Sequence, residues 1–203
     1  MFIRERDMRT HEGQARSINN EEFQRVMDSI LSHSQFPLRD TAIFAVSYFA
    51  GLRAMEICGL NLNDILDSQR QIRAQVTLRK IATRGAKGGN AYFSHPTLRE
   101  YLTRYLVEVR NQKVTDCEAV FVSRVAKRFS PSSMSQLFTR LYKQAGLEGC
   151  TSHTGRRSLG RNLNRNGVSL YNIQKVLRHA DINQTVRYID EDTELLANLV
   201  SGV

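Results

Sequence analysis

Ser152-His153-Thr154-Gly155-Arg156-Arg157, followed by Leu177-Arg178-His179-Ala180-Asp181 and Thr185-Val186-Arg187-Tyr188, is the part of the chain around which the rest is read. Thr151 or Ser152 can accept from the free amides of a first helical turn, so the first piece reads as a helix start, with His153 and Arg156 three apart on one face. That face is polar and cationic. If His179 and Tyr188 join it, the group holds two imidazoles, a guanidinium and a phenol, a set better suited to a phosphodiester than to a neutral substrate. One more arginine and a lysine would complete it, and both have candidates upstream.

A chain of 203 residues with 41% hydrophobic content makes one globular domain, or one domain with a short appendage. Lys+Arg of 29 against Asp+Glu of 20 gives a formal charge of +9, which favours a polyanionic partner. The charge is unevenly placed. From 68 to 99 there are seven Lys/Arg and no acid, and from 149 to 189 seven more against Asp181 alone. Two such blocks beside the phosphate-suited residues point to nucleic acid. Cys58, Cys117 and Cys150 are odd in number and widely spaced, so they suggest neither a disulfide framework nor a metal pair, and no metal is expected. No run approaches the ~20 apolar residues of a membrane span, and the Met1 end has no apolar signal core. A cytosolic, soluble protein without membrane contact is expected.

Upstream, residues 1 to 16 mix charges without periodicity and read as a mobile arm. Asn19 and Glu22 stand at capping-box spacing, and Phe23, Val26, Met27, Ile30 and Leu31 follow at helical spacing. Pro37 opens a more apolar helix through Ala50, closed by Gly51. Next, Gly51-Leu52-Arg53-Ala54-Met55-Glu56-Ile57-Cys58-Gly59-Leu60 reads as a short helix that buries Leu52, Met55 and Ile57. In it Arg53 and Glu56 are either a surface ion pair or an arginine held rigid by its carboxylate while its fork faces a phosphate. From 71 to 79 the residues alternate, with Ile72, Ala74, Val76 and Leu78 on one face, which predicts a strand. The glycine-rich stretch 84 to 90 makes a turn that presents Lys87, and Ala91-Tyr92-Phe93 return as the partner strand.

Farther on, helices are predicted from Pro96, with Leu98, Tyr101, Leu102, Tyr105, Leu106 and Val109 inward, and from Pro131, with Met134, Leu137, Phe138, Leu141 and Tyr142 inward. Val120-Phe121-Val122 is extended. The helix from about 154 to 166 should turn Leu159 and Leu163 inward and Arg157, Arg161 and Arg165 outward. A helix through Ile173, Val176 and Leu177 leads to His179, and a turn or short helix from Asn183 brings Tyr188 forward. The tail carries an apolar stripe of Leu195, Leu196, Leu199 and Val200.

With these residues in place the chain resembles the tyrosine recombinase/integrase family of DNA strand-exchange enzymes. GLRAMEICGL resembles the first arginine box, SHTGRR the His-x-x-Arg box, and LRHADINQTVRYI the box that ends in the nucleophilic tyrosine. Within this sequence, 23 residues separate Arg156 from His179 and nine separate His179 from Tyr188, as in the family pattern. The resemblance implies an α+β fold, a mostly helical tyrosine-recombinase catalytic domain with a small antiparallel β-hairpin. It divides the chain into a flexible arm (1 to 17), a catalytic domain (18 to 190) and a tail (191 to 203) that docks in trans or packs on its own core. It also implies that Arg53 and Arg156 grip a scissile phosphate, with His153 and His179 completing the cradle and Glu56 supporting the first arginine. Lys87, with Lys80 and Arg84 as rivals, would protonate the leaving 5′ oxygen, and Tyr188 would form a 3′-phosphotyrosine.

No cofactor is implied. The implied partners are double-stranded DNA, further copies of the chain in a tetramer on DNA, and an accessory DNA-binding protein in place of the family's separate front domain, which is expected to be missing. The setting would be a bacterial, phage or archaeal cytosol, close to the nucleoid. Departures from the pattern are Gly155 for the usual leucine, which suggests a looser first turn, and Arg178-His179-Ala180-Asp181 for a glycine-histidine-serine run. A regulator that keeps the fold without cutting and a relaxing topoisomerase are the competing readings.

Overall fold

The computed structural model describes residues 15–79, 89–111 and 117–188. Helix α1 (Asn20–His33) starts on the expected box: Asn19 Oδ1 accepts from the Glu22 amide at 2.8 Å, and Glu22 Oε2 accepts from the Asn19 amide at 3.1 Å. Phe23, Val26, Met27 and Ile30 are buried, whereas Leu31 is 45% exposed. One residue of helix is a turn of about 100°, which carries Leu31 off the stripe that ends at Ile30. Helix α2 (Pro37–Ala50) is buried on nearly every side and ends at Gly51, whose φ of 62° closes it in the left-handed conformation. It packs against α1, and the Phe23 ring lies 5.6, 4.4 and 5.1 Å from those of Phe44, Tyr48 and Phe49.

Beyond α2 come the short helices α3 (Ala54–Gly59) and α4 (Leu62–Ile65) and a two-stranded antiparallel sheet. Strand β1 (Gln75–Leu78) pairs with β2 (Gly89–Tyr92), Gln75 opposite Tyr92 and Leu78 opposite Gly89. The strand is shorter than the alternation predicted. Asp67 Oδ1 accepts from the Gln69 and Gln71 amides, folding the chain back so that Ile72 bridges Leu66, and Ala74 is left exposed. The turn with Lys80, Arg84 and Lys87 lies outside the described residues.

Helix α5 (Pro96–Tyr105) lies against α2 and runs into a π-helical turn (Leu106–Arg110), in which the Asn111 amide donates to Leu106 O at 2.9 Å. Leu98, Leu102, Tyr105 and Leu106 are buried as expected, and Tyr101 and Val109 half-buried. Val120, Phe121 and Val122 are buried, the first tied to Leu60 O by its amide at 2.9 Å. In α6 (Pro131–Gln144) all five residues predicted inward are buried. The chain closes with α7 (Thr154–Arg165), α8 (Leu170–Leu177) and α9 (Ile182–Val186). Among the described residues no helix is long and apolar enough to cross a membrane.

Helix α7 departs from its sequence reading. Thr154, Gly155, Arg156, Arg157, Ser158 and Gly160 are buried, while Leu159 and Leu163 are half-buried. Gly155 explains the inversion. A Cβ there would stand 2.7 Å from Ser47 Oγ and 3.1 Å from backbone atoms of Ser47 and Tyr48, so the missing side chain lets α7 lie directly on α2. The glycine is a packing contact, and the helix is intact around it. Gly155→Ala gains about 1 kcal/mol of helix propensity but meets an overpacking cost of about 1–3 kcal/mol against backbone that must give way. A lowered urea midpoint is expected; a raised one would show that the α2–α7 contact has slack.

The start of the described chain is also tied to α7 and its neighbours. The Arg16 side chain reaches Glu22 at 2.8 Å and Glu148 O at 2.9 Å, and the Ile18 amide donates to Ser158 Oγ at 2.8 Å. Arg16 and Ser17, assigned to the arm on sequence grounds, are therefore attached to the body.

Candidate active site

Arg53 precedes the first turn of α3, and Glu56 is the third residue of that helix. Glu56 Oε2 accepts from the Arg53 amide at 2.9 Å, which is half a capping box, and Oε1 accepts from Arg53 Nη1 at 2.9 Å. Glu56 is 1% exposed and the Arg53 side chain 30%. The local rule that caps a helix thus also fixes the direction of an arginine fork. Burial pushes the Glu56 carboxyl up, and Arg178, Arg156, the Arg53 amide and Arg53 more than reverse that, holding it below the usual carboxylate range.

Arg156 has no exposed surface. Its Nη1 donates to Gly51 O at 2.7 Å and its Nη2 to Leu177 O, the last carbonyls of α2's cap and of α8. Two helix C-termini therefore converge on one guanidinium, whose donors satisfy carbonyls that lack helical partners and whose charge meets the negative ends of both dipoles. Burial, and then the like charges of Arg53 and Arg178, lower its pKa from 12.5 to about 9, so it is charged at pH 7.

Arg178, which the sequence marked only as a departure, is the third guanidinium. Its Nη2 stands 3.0 Å from Glu56 Oε2 and 3.2 Å from Gly51 O, and its Nη1 donates to Val176 O at 3.0 Å and Asn90 O at 3.4 Å. Its backbone is left-handed, with φ 54° and ψ 42°, a conformation that costs a non-glycine residue roughly 1–2 kcal/mol. Glu56 is thus shared by three arginines, with Arg156 Nη1 at 3.9 Å.

His179 follows directly and is 6% exposed. Its Nδ1 lies 2.9 Å from Thr185 Oγ1, and its ring meets that of Tyr188 edge-on at 4.8 Å. Tyr188 is half-buried, close to Gly160, with the Arg157 guanidinium 5.8 Å from its ring centre. Thr185 and Arg157 are site neighbours that the sequence reading missed. Thr185 sits three residues before Tyr188, a helical spacing that could have flagged it; Arg157 was assigned to the outer face and is buried. His153 precedes α7, its amide bound to Thr151 Oγ1 at 3.2 Å, and partial desolvation, then Arg156 and Arg53, lower its pKa. Lys87 lies outside the described residues.

A cleft of about 630 Å³, lined by Phe36, Arg39, Phe129 and Arg140 among others, lies at the opposite end of α2, and a shallower one lies beside Arg161 and Asn20. Neither is lined by the residues of the Glu56 cluster.

Residues 16–194 match the sequence profile of the phage integrase family. The chain belongs to that family. Tyrosine recombinase XerC of Alcanivorax borkumensis is 29% identical over 191 residues, covering 92% of this chain and 59% of that protein. XerC of Syntrophus aciditrophicus is 31% identical over 160 residues, covering 75% of this chain and 49% of that protein. The integrase-family chain thus spans about half the length of the curated relatives it matches. Among solved structures, XerA recombinase superposes with a TM-score of 0.77 at 25% identity, covering 92% of this chain and 64% of that one. XerH bound to its difH substrate superposes at 0.68 and 20% identity, covering 92% of this chain and 53% of that one, which is likeness of fold. The expected α+β architecture, mostly helical with a small antiparallel hairpin, is the fold of this family.

Within this cluster His179 carries a pH signature. Burial first, then Arg156, Arg53 and Arg178, push its imidazole down to about 3, so it is neutral at pH 7. An unfolded histidine titrates near 6.5. Between about pH 6.5 and about pH 3 the unfolded chain holds a proton at this position that the folded chain does not, so stability is full above the window and falls as pH drops through it. The slope from this group is at most ~1.4 kcal/mol per pH unit. His179→Gln does not titrate, and its urea midpoint should fall less steeply than wild type between pH 6.5 and 4.5. Equal slopes would show that the imidazole protonates freely within the fold.

Proposed function

We propose that this chain is a site-specific DNA recombinase that cuts and rejoins strands of double-stranded DNA through a 3′-phosphotyrosine. The observation that carries this reading is the sharing of one buried carboxylate, Glu56, by Arg53, Arg156 and Arg178, beside a tyrosine and a neutral histidine. Three guanidiniums against one carboxylate leave positive charge waiting for an anion, and a phosphodiester brings one. The matched relatives are tyrosine recombinases, and solved structures of this fold include XerH on its difH substrate and a lambda integrase dimer on a COC′ core site.

In this reading the Tyr188 hydroxyl gives its proton to water as its oxygen attacks the scissile phosphorus, and the bond from phosphorus to the 5′ oxygen breaks. A phenol of pKa near 10 is a poor nucleophile at pH 7 and an alkoxide a poor leaving group, so both ends need help. Arg53 stabilises the charge that builds on the non-bridging oxygens by contact, contributing about 2.7–4 kcal/mol by analogy with an oxyanion-hole donor, and the buried Arg156 guanidinium adds its positive charge behind it. His153 and His179, both neutral, offer hydrogen bonds without adding charge, and Lys87 gives the leaving 5′ oxygen its proton. The phosphotyrosine keeps the bond energy. A 5′ hydroxyl, from the same or another duplex, attacks it in reverse and releases the phenol.

Working assembly as a tetramer on DNA, a docking role for residues 191–203 and help from an accessory DNA-binding protein belong to the same reading. The test is a pool of nicked duplexes with a randomised core, in which cleavage releases a short fragment and traps the adduct. The full chain should leave DNA bound to protein in SDS, and the recovered site should support joining of two duplexes. A regulator that only binds leaves no adduct, and a topoisomerase relaxes one duplex without joining two.

A further inference from the structure

Arg178 holds a left-handed backbone position, for which glycine is the natural occupant, and nevertheless carries a long side chain that is 9% exposed. The neighbouring strand makes room for it. A Cβ on Gly89, the first residue of β2, would stand 2.9 Å from the Arg178 Cδ and 3.1 Å from its Cγ. The fork then spans three elements: Glu56 in α3, Gly51 O at the end of α2 and Asn90 O in β2. Arg53 depends on the same carboxylate, so where Arg178 holds Glu56 decides where the exposed Arg53 fork stands. Both Nη groups of Arg178 go to protein acceptors, and the Arg53 fork, 30% exposed, presents surface to a ligand.

We propose that Arg178 is a positioning residue for strand cleavage, itself tied to strand β2 through the Asn90 carbonyl and acting through Glu56 to fix the Arg53 guanidinium. This role rests on the cleavage reading above. A merely structural staple would lose stability and DNA binding together, whereas a positioning residue acts on the cleavage rate and only while its intermediary is present.

The experiment uses the full chain on a nicked duplex recovered from the randomised pool and measures the single-turnover rate of adduct formation, DNA affinity and the thermal midpoint. Arg178→Gly suits the backbone; it should slow adduct formation by about 10- to 100-fold with affinity within about 3-fold of wild type. Arg178→Lys keeps the charge but not the fork and should fall between. In a Glu56→Gln background the Arg178→Gly effect should shrink to within about 3-fold, because the two act in series. Gly89→Ala removes no charge and displaces the arginine, so it should slow cleavage in the same direction even where Arg178→Gly fails to fold. Multiplicative effects of Arg178→Gly and Glu56→Gln, equal losses of rate and affinity, or a wild-type rate in Arg178→Gly would each overturn the proposal. Absence of adduct from the wild-type chain removes the cleavage reading, and this role with it.

Discussion

Tyr188→Phe is expected to bind duplex DNA as the wild-type chain does and to form no covalent adduct. The substitution deletes one oxygen. The ring keeps its edge contact with His179 and its place beside Gly160, so neither the fold nor the basic surface changes. What is lost is the only atom in the ring able to attack phosphorus, which makes this the largest effect foreseen, a fall of at least about 10³-fold by analogy with removal of a catalytic nucleophile. Adduct at the wild-type level from Tyr188→Phe would move the nucleophile to another residue, and loss of binding in step with adduct would make Tyr188 a structural group.

Lysine at Arg53 and at Arg156 should both depress cleavage steeply, and the structure separates the two substitutions. Arg53 is partly exposed and bonded to Glu56, so Arg53→Lys keeps charge at the surface and loses the planar fork. Cleavage should fall by about 10²-fold or more with stability close to wild type, in the range found when one transition-state donor is removed. Arg156 is wholly buried between Gly51 O and Leu177 O. An ammonium cannot reach both carbonyls in the same plane, so Arg156→Lys leaves a buried acceptor unmet and should also lose about 1–3 kcal/mol of stability. Adduct rates read beside urea midpoints check both claims. Equal stability of the two variants would mean that Arg156 is less firmly held than its carbonyl partners indicate.

Much of the scaffold was legible because helix ends are decided locally. The Asn19–Glu22 box bounds its helix through hydrogen bonds that span three residues, and Pro37 and Gly51 bound theirs through backbone conformation, so composition at those positions was enough. The Arg53–Glu56 pair was equally visible as a spacing, and the His179-to-Tyr188 interval as a motif. The sequence alone thus determined most of the helices, most of the core stripes and the family. It could not choose between a surface ion pair and an arginine held rigid by its carboxylate while its fork faces a phosphate. Glu56 is buried because Arg178, 122 positions away, and Arg156 close over it, and Gly51 O is a hub because Arg178, 127 positions away, returns to it. Arg157 looked outward by periodicity and is buried because Gly155 and Gly160 let α7 approach α2 and α8 more closely than a helix with side chains there could. Ala74 fell out of its predicted face because a turn at Asp67 paired Ile72 with Leu66 first. Local hydrogen bonds and apolar periodicity are written within a few residues, but which charges share a buried counter-ion depends on segments that only the folded chain brings into contact.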